Sequence, residues 1–505
     1  MQAIVEVLPE PGNLRITDRG QTRAPLLGLV QQCLGNKTRS YSTPGHKGGP
    51  GVPEELRNLL GDSAFASDVW FNTSDLERAL GEAEQLAADT WGADSAHFLV
   101  NGATSGNLAL LMAQLNPGDK VILGRDAHRS VLAGIIASGA EPVFIAPRLH
   151  SDLCMSVGID PDDVEAAIEK HPDARLVVVT SPTYHGVATD IGRIAELAHL
   201  ANVPLFVDQA WGAHFPFHPS LPLSAMEAGA DACVTSPHKT LSAFSQGSML
   251  LVQGRRIDTV RLNSTLRFAQ STSRNFPILV SLDATRRQMA LQGWAQMELT
   301  MALAARARTS LRAIPGVAVI DAQSLGLPEK QFDSTRLVID TAGLGLDGFA
   351  VERLLREEFA IAPEMSDLAG IVCLITLGDT RASIDALVHA LSCIAKEFGG
   401  GSERHNLEMI RSVGAAIAPG DMAMTPRDAH FSRSSQTPLP MAVGRISAEL
   451  VVPYPPGIPV LVPGERIGLA KLLYLAKVST RGGHCAGVAD PTLLTLRVVD
   501  NEAPR

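Results

Sequence analysis

Pro204-Leu205-Phe206-Val207-Asp208-Gln209-Ala210-Trp211 is the stretch that decides the fold. Leu205-Phe206-Val207 is the short, wholly apolar run expected of a strand buried on both faces of a parallel sheet. Asp208 would then emerge at the strand's carboxyl end, where open α/β sheets hold their ligands. Similar apolar runs, His97-Phe98-Leu99-Val100, Lys120-Val121-Ile122-Leu123 and Arg175-Leu176-Val177-Val178-Val179-Thr180, alternate with helical segments from about 96 to 252. That alternation predicts an α/β fold with a doubly wound, mainly parallel sheet.

About thirty residues after Asp208 comes Ser236-Pro237-His238-Lys239-Thr240, followed by Leu241 to Gly247. A lysine that forms a Schiff base and an aspartate that keeps a pyridine nitrogen protonated are the two groups pyridoxal phosphate asks of its protein. Ala210 is small enough to lie against one ring face, and Trp211 would wall the pocket at the ring's edge. The cofactor's phosphate needs an anion site. Asn101-Gly102-Ala103-Thr104-Ser105-Gly106-Asn107 follows an apolar strand and reads as a small-residue loop feeding the helical run Leu108 to Leu115. Such a helix start aims free N–H groups and the positive end of a dipole at one point, with hydroxyls from Thr104 and Ser105. Ser236 and His238 would add donors. His128, after the strand Lys120 to Leu123, sits where an imidazole could stack on the ring face opposite Ala210.

The formal charge is −10, and no basic stripe with interleaved aromatics occurs, which argues against a nucleic-acid partner. Six cysteines are scattered without a Cys-x-x-Cys pair or metal-ligand spacing, and read as reduced thiols with no metal. No basic leader or membrane-length apolar segment is present, so a cytoplasmic protein is expected. The 505 residues divide into an amino-terminal arm (1–40), a cofactor-binding large domain (41–285), a small domain (286–398) and a carboxyl-terminal domain (402–505). A long helix over Ile278 to Leu311 is expected to bridge the large and small domains, and Gly399 to Ser402 is the clearest linker.

With these residues in place, the chain resembles the fold-type I Orn/Lys/Arg decarboxylase family over nearly its whole length. Tyr41-Ser42-Thr43-Pro44-Gly45-His46-Lys47-Gly48 is similar to the family's Pro-Gly-His-Lys motif, and Asp68 with Ser74-Asp75-Leu76 to its next block. Arg125 to Ser130 resembles the block that carries the stacking histidine. Ser236 to Gln246 resembles the lysine block. Val452-Pro453-Tyr454-Pro455-Pro456-Gly457-Ile458-Pro459 and Val462-Pro463-Gly464-Glu465 resemble the carboxyl-terminal signature. Two departures stand out. Glu77-Arg78-Ala79-Leu80-Gly81 replaces the usual His-x-Pro-x-Gly of the compact members, and Asp208-Gln209-Ala210-Trp211 has the Asp-x-Ala-Trp form of the larger inducible members.

The resemblance implies decarboxylation of a basic L-amino acid, arginine first and then lysine or ornithine, in polyamine metabolism. Lys239, His238, Asp208 and His128 would be catalytic, with His238 or Lys239 returning the proton to Cα. Glu364 and His46 would face the substrate. Ser273, in Ser271-Thr272-Ser273, would reach the neighbouring subunit's phosphate, which makes a homodimer or higher homo-oligomer with shared sites. The resemblance is to the compact form, which is expected to be without the large wing domain of the inducible members. An aminotransferase or oxygen-using deaminase could run on the same Lys239, Asp208 and His128, with Arg336 or Arg381 clamping the α-carboxylate. A non-catalytic homologue that kept the fold is the remaining alternative.

Overall fold

A computed structural model describes residues 20–35, 41–66, 68, 73–150, 153, 155–399, 413, 414, 416–454 and 457–500. Its centre is a seven-stranded sheet of β1 (Ser95–Leu99), β2 (Lys120–Gly124), β3 (Glu141–Ile145), β4 (Leu176–Thr180), β5 (Leu205–Gln209), β6 (Ala232–Thr235) and β7 (Ser248–Val252). The spatial order is β1-β7-β6-β5-β4-β2-β3. Strands β3 to β6 pair in parallel through β2, β4 and β5, and β7 runs antiparallel between β6 and β1.

Side chains of β4 and β5 alternate between two cores, as a sheet covered on both faces requires. Val177, Val179, Leu205 and Val207 pack into one cluster with Trp91 and Leu282; Val178 and Phe206 pack into the other with Leu110 and Val131. The register sets Thr180 beside Asp208 and Asp208 beside Val234, so the carboxyl ends of three adjacent strands finish level. That shared edge holds the site.

The helix after β1 spans Gly102–Gln114, so what the sequence presents as a loop from Asn101 to Asn107 is already the helix's first turns. The bridging helix runs Phe276–Arg312, its 37 residues extending roughly 55 Å. It starts at the Asn275 cap, whose side chain accepts from Ile278 N at 3.1 Å. Beyond it lies a small antiparallel sheet, ordered β10 (Met365–Ser366), β11 (Gly370–Leu374), β9 (Arg336–Asp340), β8 (Ala318–Ile320), with helices Gly348–Phe359 and Arg381–Phe398. The run Glu77 to Gly81 falls inside the helix Thr73–Trp91, which continues unbroken because no proline interrupts it. Gly399 caps its helix; the rest of the expected linker lies outside the described residues. Among the described residues no helix is long and apolar enough to cross a membrane.

The carboxyl-terminal part pairs Val452–Tyr454 with His484–Ala486 and Ser434–Pro438 with Thr495–Val499. It is fastened to the large sheet by one buried charge cluster. Arg125, just past β2, donates from Nη2 to Val460 O and Glu465 Oε2, both at 3.0 Å, and from Nη1 to Pro459 O. Lys471 Nζ donates to the other oxygen of Glu465. Arg125 and Glu465 are each 1% exposed. Removing one member of such a cluster strands the others without solvent. Glu465→Ala is therefore expected to destabilise the protein by about 3–5 kcal/mol, read as a lower urea midpoint, whereas an exposed pair such as Arg306–Asp385 should cost under about 1 kcal/mol when broken.

Candidate active site

At the carboxyl edge of the sheet lies a cavity of about 590 Å³. Its lining includes Gly102, Ala103 and Thr104 from one helix start, His128 and Arg129 from another, Thr180 from the end of β4 and Tyr184 from the loop after it. Asp208, Ala210 and Trp211 come from β5 and its turn, and Ser236, His238 and Lys239 from the turn after β6. His484 and Ala486 reach it from the carboxyl-terminal part.

Asp208 is 4% exposed and is held from both sides. Its Oδ1 accepts from Ala210 N at 3.2 Å and its Oδ2 from Asn107 Nδ2 at 2.9 Å. The same Asn107 amide donates to Ser130 Oγ at 2.8 Å, and Ser130 Oγ lies 2.7 Å from His128 Nδ1. Ser130 N also donates to that nitrogen, at 3.2 Å. With both of asparagine's donors spent on oxygens, the serine hydroxyl proton is free to point at Nδ1. That nitrogen is then an acceptor, and the imidazole keeps its proton on Nε2. Burial, opposed by the Asp208 charge and assisted by Lys239, brings the His128 pKa down to about 4, so the ring is neutral at physiological pH.

Lys239 sits in the one-turn helix Pro237–Thr240 with its Nζ 4.0 Å from the centre of the Trp211 ring. The Arg336 guanidinium lies 4.5 Å from the same ring. Burial lowers the Lys239 pKa from 10.5 to about 8; the Asp208 charge opposes this and the Arg336 charge adds to it. His238 Nδ1 is 2.8 Å from Gly247 O and donates to it, which leaves Nε2 for other partners. Burial also lowers the His238 pKa.

The start of the helix Gly102–Gln114 carries no side-chain cap. The Gly102 N–H is spent on Gln246 O at 3.0 Å, but those of the next residues lie in the turn that has no intrahelical partners. Buried polar atoms without a partner cluster around the cavity: Asn107 Oδ1, Thr180 Oγ1 and Trp211 Nε1. Donors for an anion at one end, an anchored carboxylate at the other and a lysine amine that loses its proton readily between them fit pyridoxal phosphate.

Of the residues singled out in the sequence, Ala103, Thr104, His128, Asp208, Ala210, Trp211, Ser236, His238 and Lys239 meet in this cavity. Ser105 does not; lying in the helix rather than a loop, it donates from Oγ to Gly102 O at 2.9 Å. Ser273 is exposed beside Ser271, and His46 pairs with Asp68 at 3.3 Å, both outside the cavity of their own chain. Glu364 is also outside it, yet close enough to Lys239 and Arg336 for its charge to act on both. Asn107, Ser130 and Arg336 join the arrangement without having been assigned these places. A polar Asn107 at the front of the apolar run Leu108 to Met112 is the one signal that could have marked it.

The sequence matches the family model for the Orn/Lys/Arg decarboxylase major domain over residues 24–332 and that for the carboxyl-terminal domain over 411–490. The chain belongs to the Orn/Lys/Arg decarboxylase family. It is 37% identical to an arginine decarboxylase of Bacillus subtilis over 489 residues, covering 95% of this chain and 99% of that relative. An arginine decarboxylase of Halalkalibacterium halodurans is also 37% identical, over 96% of this chain and 99% of its own. In fold it is similar to lysine decarboxylase A from Pseudomonas aeruginosa, with a TM-score of 0.82, 23% identity, and coverage of 95% of this chain and 81% of that one. This decarboxylase accordingly has the fold-type I architecture, uses pyridoxal phosphate and acts on a basic amino acid.

Capture of the cofactor aldehyde needs a neutral amine. For this decarboxylase stripped of cofactor, the rate of pyridoxal phosphate uptake, followed by absorbance, should rise with pH and level off above about 8. An unperturbed lysine would keep the rate climbing towards 10.5.

Proposed function

We propose that the chain converts L-arginine to its amine and carbon dioxide, as a cytoplasmic homodimer serving polyamine metabolism. The observation that carries this reading is the near full-length identity to two arginine decarboxylases, joined to a cavity in which Lys239 and Asp208 converge. Pyridoxal phosphate, when bound, accepts the electron pair released as the carboxylate leaves.

The chain's own residues do the rest. Lys239 Nζ is the attachment point, and its pKa of about 8 lets it give and take a proton near neutrality. Asp208, fixed by Asn107 and Ala210, keeps a ring nitrogen protonated by offering a carboxylate that cannot turn away. The neutral His128 ring and Ala210 line the cavity and would hold the cofactor ring between them. The first N–H groups of the helix Gly102–Gln114, with Ala103, Thr104 and Ser236, hold the phosphate. Lys239 Nζ, or His238 once its Nε2 has taken up a proton, would deliver a proton to the substrate's Cα. Trp211 walls the site and orients the Lys239 amine through its ring face. Contacts to the substrate's distal side chain would hold its carboxylate in the orientation that favours decarboxylation over other fates.

In the proposed dimer, Ser273 and His46 would serve the partner's cavity, with Glu364 offsetting the positive charge of Lys239 and Arg336. Exposed apolar side chains beside the lysine turn support such a face. Phe244 is 59% exposed, and a groove of about 330 Å³ lined by Phe244, Pro277 and Val280 adjoins it.

Amine, carbon dioxide, hydrogen peroxide and keto acid should be measured separately from arginine, lysine and ornithine. Amine and carbon dioxide in equal amounts, most rapidly from arginine, is the expected result; peroxide or keto acid as the main product would replace this reading with an oxidase or aminotransferase. Lys239→Ala should lower amine formation by at least ~10³-fold. Phe244→Glu should shift the protein to monomers by light scattering and remove activity with it.

A further inference from the structure

A second cavity, of about 80 Å³, shares Thr180 and Tyr184 with the catalytic one. It lies where the large, small and carboxyl-terminal parts meet. Most of its wall is apolar, from Met155, Leu368, Ala416, Ile417 and Ile458. Its charged groups are Asp126, Asp367 and His185.

The two carboxylates differ in how far they are satisfied. Asp367 accepts from Ala369 N at 2.7 Å and Gly370 N at 2.9 Å on one oxygen, and pairs with His185 at 3.3 Å on the other. Asp126 is 6% exposed, and its side-chain partner is Ser156 Oγ at 3.4 Å, a long bond. The neighbouring Arg125 gives its hydrogen bonds to Glu465 and to carbonyls of the carboxyl-terminal part. Burial raises the Asp126 pKa to about 6, outweighing its own backbone N–H, Ser156 and the Arg125 charge, which favour the anion. A buried anion in this state lowers its energy by gaining a cation with several N–H donors.

The position is also suitable. Asp126 lies two residues from His128, so their Cα atoms are within ~7 Å. The second cavity adjoins the catalytic one at Thr180 and Tyr184 and sets mostly apolar walls beside the Asp126 carboxylate. That combination suits a methylene stem ending in a guanidinium. We propose that this second cavity is the subsite for the substrate's distal guanidinium, with Asp126 as its carboxylate partner. The inference rests on the reading above that the chain decarboxylates a basic amino acid. A guanidinium can bond a carboxylate through two parallel N–H groups, whereas an ammonium acts as a point charge. Asp126 thereby favours arginine over lysine and ornithine.

The test uses holoenzyme and compares kcat and KM for arginine, lysine and ornithine in the wild type, Asp126→Asn and Ala416→Leu. Asp126→Asn should keep the cofactor absorbance and raise the KM for arginine ~10–100-fold, with the loss concentrated in KM rather than kcat. Ala416→Leu narrows the cavity without touching the carboxylate, and should lower kcat/KM for arginine relative to ornithine by ~10-fold or more. Ala416→Leu decides the matter even if Asp126→Asn does not fold. With an active wild type, a KM for arginine within about twofold of normal in Asp126→Asn together with an unchanged arginine-to-ornithine ratio in Ala416→Leu would overturn the subsite alone. A wild type that decarboxylates none of the three would remove the functional reading, and the subsite with it.

Discussion

A carboxylate buried at the end of a central parallel strand constrains everything around it. Asp208 sits among strands whose side chains are apolar on both faces, where an unpaired negative charge is costly. Asn107 relieves that cost, and in doing so ties three elements together: β5 through Asp208, its own helix, and the next helix through Ser130. Asn107 follows Gly102 by five residues in one helix, roughly 7.5 Å along its axis. One helix would therefore address both ends of the cofactor. Its open N–H groups would meet the phosphate, while its asparagine steadies the carboxylate that would serve the ring nitrogen. The relay through Ser130 also fixes the His128 tautomer, so that ring is neutral and held in place at the cavity wall.

The remaining parts enclose this arrangement. Trp211 holds the Lys239 amine against its ring, and the Arg336 guanidinium lies by the same ring from the small sheet. Arg336 is steadied by Asp333, which also pairs with His214 at 3.2 Å, so the small sheet is bound to the large one directly behind the site. From the other direction the carboxyl-terminal part is locked down by Arg125, Glu465 and Lys471. Gly457 rests so close to His128 and Tyr184 that a Cβ there would lie 3.1 Å from the tyrosine hydroxyl. Its φ of +91° is a second reason for glycine at that position. Arg125 and Asp126 are consecutive and serve different ends: one fastens a domain, the other faces a cavity which that domain helps to close.

The amino-acid sequence by itself determined the mainly parallel sheet, because runs such as Leu176 to Val179 and Leu205 to Val207 are apolar on every residue and can only be buried on both faces. It also singled out Asp208 and Lys239, which the structure brings to one cavity, since an aspartate at a strand end and a lysine beyond the next strand are local signals. What it left open depends on contacts between residues far apart in the chain. Ser105 looked like a phosphate donor because loop and helix share the same small residues at that point, and only the backbone shows its hydroxyl turned back to Gly102. Asn107 meets Asp208 across 101 positions and Arg125 meets Glu465 across 340, distances over which no periodicity or spacing carries information. The unequal satisfaction of Asp126 and Asp367 is likewise a property of packing, since two aspartates alike in sequence differ only in which N–H groups the folded chain brings to them.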